Sequence, residues 1–226
     1  MEDEHGHKHG EEDKKSEEKP KVNSTLTLIV LAVVLCGGML AVVFVPKYMH
    51  KAELQNDKYN NFEFARQGDN WYTAVNKGGQ PYQILMYYHP RDLEDIVVDS
   101  TVRDRFFALK DNNGSIFITL DPDGSDNKIV VAGVEIAKVT GTRFGLLDVP
   151  TRSAFIKAPA NASANTPTPI KTCKDANGTT MVIWLTLSDK NLVSAEGNCI
   201  ILEAKSYNDT VKVADRLVYQ LFGIMS

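Results

Sequence analysis

The chain has 226 residues, 43% of them hydrophobic, and a net charge of −4 from 25 basic against 29 acidic side chains. No basic footprint and no Arg-rich stripe interleaved with aromatics is present, which sets nucleic-acid binding aside. Once an N-terminal tail and one long apolar run are removed, about 180 residues remain, enough for one domain with a real core.

Residues 1–24 carry five Lys against eight Asp or Glu, and nothing to bury, so they read as a disordered, His-rich acidic tail. Within "HGHKHG", His5, His7 and His9 are imidazoles that can capture zinc, nickel or copper loosely. No rigid second shell is available to orient them, and a solvated tail is the better reading.

Residues 25–46 hold "LTLIVLAVVLCGGMLAVVFV", Leu26 to Val45, with no charged side chain. Twenty helical residues reach about 30 Å, the thickness of a bilayer's hydrocarbon core. A cleaved signal would have an apolar core of ~7–15 residues and a small-residue cleavage site, whereas "FVPKYMH" follows here. The run is therefore expected to be a retained signal-anchor, a single transmembrane helix. Lys8, Lys14, Lys15, Lys19 and Lys21 precede it and Lys47, Lys51 and Lys58 follow, which favours a cytoplasmic N-terminus and an extracytoplasmic remainder. Gly37 and Ala41 give one small-xxx-small spacing, the feature by which a homo-oligomer would form in the membrane.

Residues 47–61 are polar and read as a juxtamembrane stalk, leaving 62–226 as the folded extracytoplasmic domain. "NFEFARQGDNWYTAVNKGGQPYQILMYYHP" gives three aromatic and β-branched runs split by turn clusters, a three-stranded antiparallel meander. Val102, Phe106 and Leu109 then space one face of a short helix, capped by Ser100 or Asp99. "SIFITL" is a strand entering the turn "DPDGSD". "KIVVAGVEIAKVTG" has strand-like composition, but Ile129, Ala132, Gly133, Ile136 and Ala137 fit the helical template, with Ser125 or Asp126 as cap and Gly141 as stop, so the spacing predicts a helix. "RFGLLDVP" is the expected next strand, completing a βαβ unit with a parallel pair.

Residues 157–171, rich in Ala, Asn, Pro and Thr, read as a flexible loop. "TTMVIWLTL" and "CIILEA" are strands, joined by a long hairpin connection or a short extra strand. In "YNDTVKVADRLVYQLFGIMS", Val211, Ala214, Leu217, Val218, Leu221 and Phe222 form an apolar stripe. Lys212, Asp215, Arg216 and Gln220 are expected away from that stripe, with Asn208 as cap and Gly223 as stop. The fold class is thus α/β (α+β): an N-terminal transmembrane helix, an antiparallel meander leading into a mixed sheet with packed helices, and a closing amphipathic helix.

"NFEFARQGDNWYTAV", "YYHPRDLEDI" and "NCIILEAKSYNDTVKVADRLVYQLFGIM" together resemble a group of single-pass, membrane-anchored archaeal envelope proteins without a known activity. That resemblance implies the same topology and an envelope setting, and adds no chemistry.

Candidate site residues are few. Cys173 and Cys199, the two cysteines outside the apolar run, read as a disulfide, the other reading being two buried thiols. Asn113, Asn161, Asn177 and Asn208 stand in Asn-x-Ser/Thr sequons and are glycosylation candidates. Asp121, Asp123 and Asp126 in "DPDGSD" are oxygen donors for a hard cation, although the glycine and glutamate positions of a calcium loop are absent and a turn explains them better. His89 in "YYHPRD" is the one histidine inside the folded region, and a lone base before proline is more often structural. No catalytic set converges, and neither a P-loop nor a dinucleotide fingerprint is present, so no cofactor is implied. The expected function is a membrane-anchored, non-enzymatic binding or structural module of the cell envelope, with envelope or sibling membrane proteins as partners. The alternative is an extracytoplasmic metal-assisted hydrolase using the Asp121/Asp123 loop.

Overall fold

The computed structural model describes residues 25, 28–40, 55–123, 126–160 and 168–226. Residues 28–40 are helical with exposed apolar side chains. The rest of the expected span, residues 26, 27 and 41–45, lies outside the described residues, among which no helix is long and apolar enough to cross a membrane.

The C-terminal unit begins with an antiparallel sheet ordered β1-β2-β3-β4: Gln55–Tyr59, Phe62–Gln67, Asn70–Lys77 and Gln80–Met86. The meander is therefore four strands, not three, because the segment read as a stalk contributes β1. Its "QNDKY" sequence hides the strand: it lies at a sheet edge and sends one polar face to water. Gly78 and Gly79 both take positive φ, 59° and 82°, which the tight hairpin between β3 and β4 requires. Alternation buries Phe64, Thr73, Val75, Ile84 and Met86 on the inner face.

A six-stranded sheet follows, ordered β5-β9-β10-β8-β6-β7. Its strands are β5 Val97–Val98, β6 Ser115–Leu120, β7 Thr151–Phe155, β8 Thr180–Leu187, β9 Leu192–Glu196 and β10 Cys199–Ala204. β10, β8, β6 and β7 run parallel, while β9 pairs antiparallel with β10. The link between "TTMVIWLTL" and "CIILEA" thus contains a short extra strand, and β10 inserts between β9 and β8. Among the described residues of this unit, α1 Val102–Asp111 and α2 Asn127–Thr140 join strands, and α3 Tyr207–Phe222 follows β10.

The helix chosen for "KIVVAGVEIAKVTG" forms, capped by the Asp126 carboxylate accepting Lys128 N–H at 2.8 Å and ending at Gly141. The βαβ unit forms too, yet its second strand is Thr151–Phe155 and "RFGLLDVP" is turn. In that segment Gly145 and Asp148 both take positive φ, which breaks an extended run.

Ile116, Ile118, Met181, Ile183, Leu185, Val193, Ile200 and Leu202 face the helices in one continuous core. The inner face of the first sheet closes over the far side of α3, so this helix is buried nearly all round. Its apolar stripe, Val211, Ala214, Leu217, Val218 and Leu221, is buried as expected, and its polar face is buried as well: Asp215, Arg216 and Gln220 are 1%, 4% and 6% exposed. An amphipathic helix normally keeps its polar face in water; here a second sheet takes the water's place, and the polar groups are paired inside. Arg216 donates to the Ile96 carbonyl, the Gln220 amide oxygen and the Ser226 carbonyl at 3.0–3.2 Å. The N-cap of α3 is Ser206, not Asn208, and Gly223 closes the helix with φ 70°.

Candidate functional site

His89 sits where β4 leaves its sheet. Pro90 forces the preceding residue extended, and His89 has φ −71° and ψ 149°. A one-turn 3-10 helix, Pro90–Leu93, starts there and is held by reciprocal caps: His89 Nδ1 accepts Arg91 N–H at 3.3 Å, and the Asp92 carboxylate accepts His89 N–H at 3.3 Å.

The imidazole is 4% exposed and walled by aromatic rings, with Trp71 at 4.6 Å, Phe64 at 4.9 Å and Tyr59 at 6.2 Å between centroids. Burial holds its pKa below the ordinary histidine value, against the pull of Asp57 and Asp92. A neutral ring whose Nδ1 accepts a hydrogen bond carries its proton on Nε2. Nε2 has no hydrogen-bond partner among the described residues and lies 3.7 Å from Asp57 Oδ2.

Asp57, on β1, pairs with the Arg91 guanidinium at 3.3 Å, and that hydrogen bond holds its carboxyl below the usual carboxylate range. Arg91 also donates to the Lys58 carbonyl at 2.9 Å and stacks over Tyr59, while Arg66 lies over Trp71 at 5.7 Å. Asp57, Arg66, Trp71, His89, Arg91 and Asp92, with Asp69, Tyr87 and Tyr88, line a cleft of about 450 Å³. A second concavity of about 490 Å³ runs along β1 to β4 past Ala65, Tyr72 and Gln83, and no buried histidine or carboxylate lines it.

The lone pair of Nδ1 is committed to Arg91 N–H, so His89 offers a proton and not a base to whatever enters. The arrangement can bind and orient; it lacks the free imidazole lone pair that nucleophile activation needs.

The other sequence-derived candidates are scattered. Cys173 and Cys199 form the disulfide, with S–S 2.09 Å, tying a 3-10 turn at Cys173–Asp175 to β10 on the sheet face opposite the helices. Asp121 and Asp123 both pair with Lys157 Nζ, at 2.9 and 3.4 Å, and Asp123 also accepts Ala160 N–H at 2.9 Å. A cation at this loop would have to displace that ammonium, and Asp126 is engaged as the cap of α2. No group of three or more potential metal-ligating His, Cys, Asp or Glu side chains is gathered among the described residues. His5, His7, His9 and Asn161 lie outside them. Asn113, Asn177 and Asn208 are exposed; Asn113 has φ 53°, and Asn208 stands in the first turn of α3 against Lys128.

Asp57, Trp71 and Arg91 were not singled out by sequence reasoning, because Asp57 falls in an apparent stalk and the other two carry no motif. No protein-family model matches the chain, and neither a curated protein nor a solved structure matches it.

Proposed function

We propose that this chain is a membrane-anchored, extracytoplasmic binding module of the cell envelope, non-enzymatic, held in the bilayer by Leu26–Val45 and presenting the His89 cleft. The observation that carries the reading is the His89 geometry: a buried ring whose Nδ1 is spent on a backbone N–H and whose Nε2 proton faces a carboxylate too distant to bond directly. Such a pair presents a fixed donor and a fixed acceptor to a ligand group. The Cys173–Cys199 bridge supports the outward placement, since disulfides persist in oxidising compartments.

The placement is tested with Asp111→Cys in a Cys36→Ser background, Asp111 being exposed on α1. A membrane-impermeant maleimide should label the new thiol in sealed cells. Labelling only after lysis overturns the outward placement.

A further inference from the structure

We infer that the His89 cleft binds a carbohydrate, whose hydroxyl bridges His89 Nε2 and the Asp57 carboxylate while a ring face lies against the cleft's aromatic side chains. This rests on the binding reading above and names the ligand's chemical class.

The His89 side chain is 5% exposed, and its Nε2 proton is unpaired among the described residues. Leaving a buried donor without a partner is costly, and a ligand acceptor removes that cost. Asp57 Oδ2 stands 3.7 Å away, beyond a direct hydrogen bond, and a single bridging oxygen at ordinary hydrogen-bond lengths fits once the partly exposed Asp57 side chain opens that gap toward ~4.5 Å. A hydroxyl accepts from Nε2 and donates to the carboxylate in one step. An ammonium has no lone pair for Nε2, and a carboxylate or sulfate has no proton for Asp57 and is repelled by it.

Tyr87, 39% exposed, lines the cleft and offers ring surface to a ligand, and Trp71, half-buried against His89 and under Arg66, lines it too. A few fixed polar groups set into an aromatic lining is the ordinary composition of a small-molecule site, and about 450 Å³ is within the usual range for one.

Asp57, Asp69 and Asp92 face Arg66 and Arg91 across the cleft, and Arg91 is already paired to Asp57. Interleaved acceptors and donors of nearly balanced charge match adjacent hydroxyls, each both donor and acceptor, better than an ion of either sign. Arg91 Nε already stands 3.3 Å from Asp57 Oδ2. Its guanidinium and Asp57 are 56% and 39% exposed, and an exposed ion pair is weak, so a ligand hydroxyl can compete with Arg91 for that oxygen.

The test uses the full chain in a detergent without a sugar headgroup. Methyl glycosides of glucose, mannose, galactose and N-acetylglucosamine are titrated while the two tryptophan indole N–H signals are followed by NMR; sodium sulfate and tetramethylammonium chloride serve as the anion and cation probes. At least one glycoside should move the Trp71 signal saturably and leave Trp184, in β8, unmoved. Asp57→Asn keeps an exposed position, and an unchanged Trp184 signal reports its fold; it should weaken that glycoside at least about tenfold, as expected for losing a hydrogen bond to a charged group. No response to any glycoside, a response to sulfate or tetramethylammonium alone, or glycoside binding indifferent to Asp57→Asn each overturns the inference. Since the titration needs no membrane topology, loss of the carbohydrate and loss of the outward placement are separate outcomes.

Discussion

The Tyr219 hydroxyl donates to the Tyr88 carbonyl at 2.7 Å, and one turn earlier on α3 the Asp215 carboxylate accepts the Tyr88 N–H at 2.9 Å. Both backbone groups of one residue are thus held by a single helix, and Asp215 also takes the Tyr87 N–H at 2.9 Å. These bonds fix the chain immediately before His89. Burial pushes the Tyr219 phenol upward, so it stays a donor throughout the accessible pH range. Tyr219→Phe keeps the packing and strands the Tyr88 carbonyl. We expect a loss of about 1–3 kcal/mol in urea unfolding. An unchanged midpoint would show that the carbonyl finds another partner.

Asp215 makes stability depend on pH. Its carboxyl is buried and pushed up to about 8 by desolvation, against the two backbone N–H groups that lower it, with Glu135 on α2 adding to the rise. Both N–H groups bond Oδ2, and Oδ1, which has no partner among the described residues, is left to carry the proton. The unfolded carboxyl titrates near 3.8, so between that value and about 8 the native state binds the extra proton. Stability from this group is full below about pH 4 and is lost as pH rises toward 8, by up to something on the order of 5 kcal/mol. Asp215→Asn retains one oxygen for both N–H groups and removes the titration. The variant should overtake the parent in melting temperature above pH 8 and show a flatter profile from pH 5 to 9. Parallel profiles would remove Asp215 as the source.

The local elements were legible wherever periodicity and punctuation agreed. Ile129, Ala132, Gly133 and Ile136 all face the core as their spacing requires, and Gly141 and Gly223 end their helices. What escaped was tertiary. Asp215, Arg216 and Gln220 obey the pattern of a solvated face, and only a sheet formed by residues more than a hundred positions earlier puts them inside. β1 escaped for the opposite reason: an edge strand with polar alternation has no apolar run to betray it. The His89 cleft joins β1, β3 and the turn after β4, and no linear motif encodes that convergence. The Cys173–Cys199 pairing was readable because elimination left two cysteines for one bridge.

Removing that bridge gives a further measurement. It closes a sequence separation of 26 residues, and the loop-entropy model assigns such a closure about 3.5 kcal/mol. It also pins the Cys173–Asp175 turn, whose own caps are Thr172 and Asp175, against β10. Cys173→Ala with Cys199→Ala should lower unfolding stability by about 2–5 kcal/mol. A reductant should lower the parent's urea midpoint and leave the double variant's unmoved. Equal midpoints for parent and variant without reductant would mean that the crosslink does not constrain the unfolded chain.

Two glycines on the same side of the parallel sheet should respond oppositely to alanine. At Gly114, which leads α1 into β6, an added Cβ would stand 2.5 Å from Leu109 Cδ1 and 2.8 Å from the Thr179 carbonyl oxygen. The leucine can shift, but that carbonyl accepts the Ser115 N–H at 2.9 Å and belongs to the start of the β6–β8 ladder, so the backbone cannot yield without breaking register. Gly114→Ala should cost about 1–3 kcal/mol as overpacking. Gly178 has open space around its Cβ position and no positive φ, so Gly178→Ala meets no clash and reduces the freedom of the unfolded chain. It should gain about 0.4–1 kcal/mol. Urea midpoints for the two variants are expected on opposite sides of the parent; a Gly114→Ala midpoint at or above it would show that the α1–β6 junction relaxes, and that the close backbone approach is not what makes glycine necessary there.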